Sequence, residues 1–344
     1  MLKNKKMIDW NDEEIVTLIE KEWGDFEQVV HTQVGHLMPQ YLKWRRRSRG
    51  TIFLTCFILS ALFLGSVSEN ELVLMSSITL FFILFFISLV ISGWVLWRWS
   101  KVSREFNKVF NPIIFEKALQ ILGFTGVHMT EESVTQSEII ALLDHSELIT
   151  ERRNRYDVDD MLSADYYGRS LFLAELAVRY VSFSGENRRT KLVFHGFFAV
   201  HDLPRSLKGK TFVTTEGDKQ GFGNMSWWQW FKAKESPQET LLEWNDFENK
   251  LHVATTNEIE ARYILTPDFM QELYDWWNSR GGNIRISFLD NRMYLLFPDR
   301  NVRIGSSTVS FSEKDLKHYL LTVVRPLWHL QQLMEHAEER LHRL

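Results

Sequence analysis

From Ile15 onward the chain sets apolar residues three or four positions apart: Ile15, Ile19, Trp23, Phe26, Val30, Val34 and Leu37. That spacing predicts a helix with one buried face. Asn11 or Asp12 can cap it, Glu13 and Glu14 suit its first turn, and Pro39 predicts a kink after it. The pattern then changes. Residues 51–67 are seventeen in a row without a charge and 72–97 are twenty-six, with only Ser68-Glu69-Asn70-Glu71 between them. A hydrocarbon core of about 30 Å takes roughly 20 helical residues. The two runs therefore predict membrane spans at about 50–68 and 72–97, joined as a tight transmembrane hairpin. A cleavable export signal is disfavoured, because forty-two residues precede Lys43.

Charge gives the predicted hairpin a direction. Lys43, Arg45, Arg46, Arg47 and Arg49 stand before the first run, and Arg98, Lys101, Arg104 and Lys108 follow the second. The connection has two glutamates and no cation. Basic flanks stay on the cytoplasmic side, so both termini are expected there, in a bacterial inner membrane. Trp94, Trp97 and Trp99 are expected to mark the inner interface.

Alternation replaces helical spacing later in the chain. "SLFLAELAVRYVSFSG", "KLVFHGFFAVHDL" and "GKTFVTTE" predict three strands of an antiparallel meander. "NKLHVATT" predicts another strand, Asn257 or Glu258 opens a short helix, and Thr266-Pro267-Asp268 starts a second, which Gly281-Gly282 stops. "NIRISFLD" and "RMYLLFP" form a hairpin about Asp290-Asn291. Upstream, 105–122 reads as helix broken at Pro112, and 134–148 as helix. Residues 216–240 read as a polar loop.

The C-terminus carries the cleanest repeat. Leu316, Leu320, Val323, Leu327, Leu330, Met334, Ala337, Leu341 and Leu344 alternate steps of four and three, the seam of a coiled coil. Pro326 predicts a break near Val324 and Arg325. Three uses of the stripe stay open: packing on its own domain, packing on the N-terminal arm as a stalk, or self-association into a homo-oligomer.

The expected fold class is thus α+β: a two-helix transmembrane hairpin and a cytoplasmic domain with a mostly antiparallel sheet, flanked by amphipathic terminal helices. The expected divisions are a helical arm at 1–49, the hairpin at 50–98, a helical connector at 99–150, an α+β domain at 151–311 and a final helix at 312–344. Composition changes this little. A mean hydropathy of −0.20 beside 45% hydrophobic residues requires a strongly polar remainder. The net charge of −4 gives no general attraction to nucleic acid, so no nucleic-acid partner is expected. The single cysteine, Cys56, excludes an intrachain disulfide and a cysteine zinc site.

"YYGRSLF", "FHGFFAVHDL", "LLEWNDFENKLHVATTNEIEARYILTPDFMQEL" and "ISFLDNRMYLLF", in that order, resemble a bacterial family of two-pass membrane proteins catalogued as domain of unknown function 3137. The likeness covers about residues 165–300 and is most specific from Glu243 to Leu273, around Phe247, Ala261, Arg262, Tyr263, Leu265, Thr266 and Pro267. It implies the anchored architecture but no activity, catalytic residue or cofactor.

Candidate chemistry is sparse. His195 and His201 share a strand face beside Asp202, but two strand histidines six apart lack a third ligand, so no metal site is expected. "DVDDMLSAD" lacks the glycine and distal glutamate of a calcium loop and reads as a solvated acidic loop. "GDKQGFGN" lacks the lysine-serine ending of a phosphate loop. No catalytic constellation and no cofactor site is readable. "MSWWQWFKAK" sets Trp227, Trp228, Trp230 and Phe231 beside Lys232 and Lys234, a composition for a membrane interface, a partner's groove, or a core. The expected function is a membrane-anchored, non-enzymatic binding, scaffold or sensing module with the lipid bilayer and a protein as partners. A membrane-surface hydrolase and an oligomeric channel subunit are the alternatives.

Overall fold

The computed structural model describes residues 10–65, 71–129, 135–149, 151–184, 187–215, 238–239, 251–280, 284–298 and 312–342; side chains at 10–13, 54, 57–65, 71–82, 84, 129, 159–160, 184, 215, 238–239 and 279–280 lie outside the description. Its helices and strands, in chain order, are α1 (Trp10–Val34), α2 (Met38–Gly65), α3 (Glu71–Ile121), β1 (Thr125–Met129), α4 (Gln136–His145), β2 (Arg155–Tyr166), β3 (Arg169–Ser184), β4 (Asn187–Asp202), β5 (Thr211–Thr215), β6 (Gln238–Glu239), β7 (Leu251–Thr255), α5 (Glu258–Ile264), α6 (Pro267–Arg280), β8 (Arg285–Leu289), β9 (Arg292–Pro298) and α7 (Glu313–His342). Among the described residues two compact units form. One holds α1 as far as Glu20, the chain from Phe115 through β9, and α7; the other holds Lys21–Ile114.

The first helix breaks at Gly35, not at Pro39. A Cβ on Gly35 would sit 2.2 Å from the His31 carbonyl oxygen, and Leu37 N–H turns back to Val34 O at 2.9 Å. Pro39 then falls in the first turn of α2, where its missing N–H has no intrahelical partner to lose. The predicted stripe from Ile15 to Val34 is buried.

The transmembrane hairpin is corrected. Among the described residues, no helix is long and apolar enough to cross a membrane. The reason lies in how the runs are housed. In α2 the uncharged run shares one helix with Lys43, Arg45, Arg46, Arg47 and Arg49. In α3 the uncharged run likewise continues without a break into Arg98, Lys101, Arg104 and Lys108. With the spans goes the transmembrane designation that depended on them. α3 also continues through Pro112, where a break was expected. Its neighbours Phe110, Asn111, Ile113 and Ile114 are buried, and their packing offsets the roughly 3 kcal/mol cost of an interior proline.

The larger unit is α+β with an antiparallel sheet of order β1-β2-β3-β4-β9-β8-β5-β7-β6. The expected meander of three consecutive strands is corrected: β3 and β4 are neighbours, but the β8–β9 hairpin lies between β4 and β5. The acidic loop is corrected too. Residues 155–166 are strand β2, in which Leu162, Ala164 and Tyr166 are buried in alternation while Asp165 is exposed. Tyr167 and Gly168, both with positive φ, make the two-residue turn into β3.

Helices cover both sheet faces. Ile139 and Leu143 of α4 pack with Phe194, Phe198, Phe212, Tyr294 and Leu296 in one core. On the opposite face, Trp276 of α6 lies 5.1 Å from the Phe297 ring and 5.8 Å from His329 of α7, centroid to centroid. Helix α7 runs unbroken through Pro326, against expectation, because Val323, Val324, Leu327 and Leu330 around it are all buried. Thr266 closes the N-terminus of α6 by accepting from Phe269 N–H at 3.3 Å, and Asn257 likewise accepts from Glu260 N–H at 3.3 Å in α5.

Candidate functional site

Two groups of residues could act outside the core. The first belongs to the smaller unit. In α3, Ser88, Ser92, Val95 and Val102 are buried, while Phe86, Ile87, Val90, Trp94 and Trp97 are exposed. Thr55 of α2 donates to Thr51 O at 2.8 Å, and its oxygen lies 3.2 and 2.9 Å from the Ser88 and Ser92 hydroxyls, which fits the serines as donors to it. The polarity is inverted: hydroxyls face in and large apolar side chains face out. Phe53 and Val90 are 77% and 72% exposed. Exposed apolar side chains in such number are costly in water.

Toward the charged end of the pair, aromatic rings accumulate. Trp44 meets Trp94 edge-on at 5.5 Å and carries the Arg47 and Arg98 guanidinium carbons 5.1 and 5.9 Å from its ring centroid. Tyr41 packs on Trp99 and Phe106 at 4.9 and 4.4 Å. Burial pushes the Tyr41 hydroxyl above the usual tyrosine range, while the nearby Arg45 and Arg49 charges oppose that. Of the cations expected to set orientation, Lys43, Arg46, Arg47, Arg49, Lys101 and Arg104 are exposed, Arg98 is half-buried, and Arg45 is buried.

The second group lies in the larger unit, where α7 meets the turn between β2 and β3. His201, at the end of β4, is fully buried. Its Nε2 lies 2.8 Å from Glu338 Oε1, and its Nδ1 lies 3.2 Å from the Ser170 carbonyl oxygen. Each ring nitrogen thus has an oxygen partner. Arg169 reaches the same Glu338 oxygen at 3.4 Å. One turn earlier, the Tyr166 hydroxyl donates to Glu335 and accepts from Gln331 Nε2, the latter at 2.6 Å. Burial, reinforced by Glu335, raises the Tyr166 hydroxyl well above its ordinary value of 10.0. His329 Nδ1 lies 2.7 Å from Glu272 Oε1 of α6. These groups tie elements together. With the histidine closed to solvent they offer no place for a substrate.

The histidines and Asp202 singled out in the sequence do not converge. His195 is partly exposed and 3.6 Å from Glu175, and Asp202 pairs with Arg292 at 2.9 Å. Among the described residues no three His, Cys, Asp or Glu side chains are grouped to hold a metal. A shallow apolar recess lined by Phe115, Leu173, Phe197, Phe297, Val323 and Leu327 has no polar group to orient a ligand. Trp227, Trp228, Trp230 and Phe231, and the glycine run before them, lie outside the described residues. The seam residues Leu316, Leu320, Val323, Leu327, Leu330, Met334, Ala337 and Leu341 are all buried.

Sequence reasoning missed Glu338, Glu335, Glu260 and Arg285. Glu260 accepts from the Lys208 and Gly209 N–H groups, at 2.8 Å for Gly209. Buried Arg285 donates to Leu148 O at 2.6 Å and pairs with Glu151 at 3.4 Å; burial lowers its affinity for its proton and the Glu151 charge opposes this. Glu338 left no signal, since it follows the seam residue Ala337 among the equally polar Glu335, His336, Glu339 and Arg340.

The class defined so far is an α+β chain whose antiparallel sheet is covered by helices and whose separate helical unit turns apolar side chains outward. A family model described as "Protein of unknown function (DUF3137)" matches residues 192–324, which supports that family for the sheet unit. No curated protein matches the chain. Among solved structures, the chain is similar to the mycobacterial trehalose monomycolate transport factor A, TtfA, at 10% identity, with 66% of this chain and 95% of that one covered and a TM-score of 0.32. A similarity of that size carries no argument about fold or function.

Proposed function

We propose that the chain is a non-enzymatic binding or scaffold module that associates with lipid through α2 and α3 and presents its sheet unit to a protein partner. The observation that supports it is the inverted polarity of the helix pair. Hydroxyls turned inward and Phe53, Phe86 and Val90 turned outward suit an apolar surrounding and waste burial in water. Trp94, Trp97 and the adjacent cations suit the headgroup boundary. The reading requires contact with lipid, and it requires no helix that crosses. The non-enzymatic part is supported by where the titratable groups are used: His201, His329, Glu338 and Arg285 are all committed to buried structural pairs.

Flotation with phosphatidylcholine vesicles tests this. The full chain should float, and Phe86→Glu/Val90→Glu should float at least about tenfold less, since a carboxylate within the acyl region costs more than 1.4 kcal/mol. A wild-type chain that stays free of vesicles and forms a stoichiometric dimer would assign the apolar face to a second copy and end the proposal.

A further inference from the structure

The long hairpin of β3 and β4 extends beyond the sheet that carries it. β2 pairs with β3 no further than Arg155↔Arg179, and β9 pairs with β4 no further than Gly196↔Pro298. Among the described residues, from Ser182↔Arg189 to Ser184↔Asn187 the two strands pair only with each other. Asn154 terminates the support: its side chain accepts from Val181 N–H at 2.8 Å and donates to Val181 O at 2.7 Å, standing in for the next strand residue. Beyond that point three residue pairs, Ser182↔Arg189, Phe183↔Arg188 and Ser184↔Asn187, form a bare ribbon about 10 Å long, at roughly 3.4 Å per residue.

The ribbon is chemically unlike the rest of the chain. Over 179–192 the sequence has Arg179, Arg188, Arg189 and Lys191 against Glu186, four minus one or +3, where the whole chain is −4. Arg179 is neutralised by Asp157, but Arg188, Arg189 and Lys191 are exposed and make no ion pair among the described residues. Strand alternation sorts the side chains. One face carries Phe183, 73% exposed, opposite Arg188, with Leu192, 52% exposed, further along; the other carries Arg189 and Lys191 beside Tyr180. A two-stranded ribbon is marginal in water, and one that exposes a phenylalanine gains by covering it.

The geometry points to this ribbon as a docking element for an anionic lipid surface, with Phe183 entering the acyl boundary, Arg188 beside it on the same face at the headgroup phosphates, and the long side chains of Arg189 and Lys191 adding charge from the opposite face. Cations interleaved with an apolar side chain match a surface that is charged outside and apolar within. A nucleic acid or an acidic protein would use the charges and leave Phe183 and Leu192 in water. The inference goes beyond the helix pair, because it assigns a second lipid contact to the sheet unit and makes it depend on lipid charge.

The test uses the full chain with Cys56→Ala and Val181→Cys, labelled at position 181, on the Phe183 face, with an environment-sensitive dye. Vesicles of phosphatidylcholine alone are compared with vesicles that also contain phosphatidylglycerol. A blue shift of the dye is expected with phosphatidylglycerol and not without it. Arg188→Glu/Arg189→Glu/Lys191→Glu should weaken that response ten- to a hundredfold, and Phe183→Ser should reduce the shift while leaving salt sensitivity. Flotation on phosphatidylcholine alone should be the same for every variant, so failure of the helix-pair reading shows there and failure of the ribbon shows in the dye. A response that is equal with both vesicles, or unchanged by charge reversal, overturns the inference. So does duplex DNA binding the ribbon more tightly than the anionic vesicles.

Discussion

His201 shows how one buried side chain fixes a joint. Two acceptors face its two ring nitrogens, and Arg169 shares the same carboxylate, so Glu338 is the hub on which a strand end, a turn and a helix converge. Replacing Glu338 with glutamine preserves shape and removes the charge. An unsatisfied buried polar group costs about 1–3 kcal/mol, so Glu338→Gln should lower stability by about 2 kcal/mol, read from the denaturant midpoint at constant slope. An unchanged midpoint would make the triad incidental. In the sequence His201 was visible as a strand residue able to carry chemistry. Its partner, 137 positions later, was not, because nothing local reports a contact across layers.

At the scale of elements, α7 is the clearest case. Its heptad spacing predicted a helix with a buried seam, and the helix exists, but Pro326 does not break it. Propensity was outweighed by burial of the residues around the proline. The joint between α7 and β2 has a pH signature through Tyr166. Its folded value is raised, so the unfolded chain releases that proton near 10 while the folded chain still holds it. With more protons on the folded state, stability is fully present below about 10 and is lost as pH rises from there toward the folded value. Tyr166→Phe should flatten that alkaline loss. The comparison is a set of guanidinium midpoints between neutral and alkaline pH, and parallel curves for both proteins would refute the assignment. Strand β2 teaches the reverse lesson. Its carboxylates resembled a solvated loop because sequence shows polarity, while its burial pattern depends on which neighbours arrive.

For the whole molecule, the sheet order matters most. β5 lies beyond the β8–β9 hairpin, so the sheet closes only after the chain has returned from residue 292. Helix α7 then covers it. Ten or so buried apolar side chains at roughly 1.5–3 kcal/mol each exceed a typical domain stability of about 5–15 kcal/mol. Deleting residues 312–344 should therefore abolish cooperative unfolding of the sheet unit, followed by near-ultraviolet dichroism; a retained sharp transition would show that α7 is dispensable.

By itself the sequence determined what local spacing can encode: the amphipathic helices, the alternating strands, the caps at Asn257 and Thr266, and the turn at Asp290. These follow from backbone periodicity and short-range hydrogen bonds. Tertiary structure alone decided which strands became neighbours, that β2 is a strand, that Pro112 and Pro326 are held inside helices, and that the apolar run of α3 turns hydroxyls inward and hydrocarbon outward. Those outcomes depend on what lies across a packed layer, and a burial partner far along the chain leaves no trace in the residues beside it.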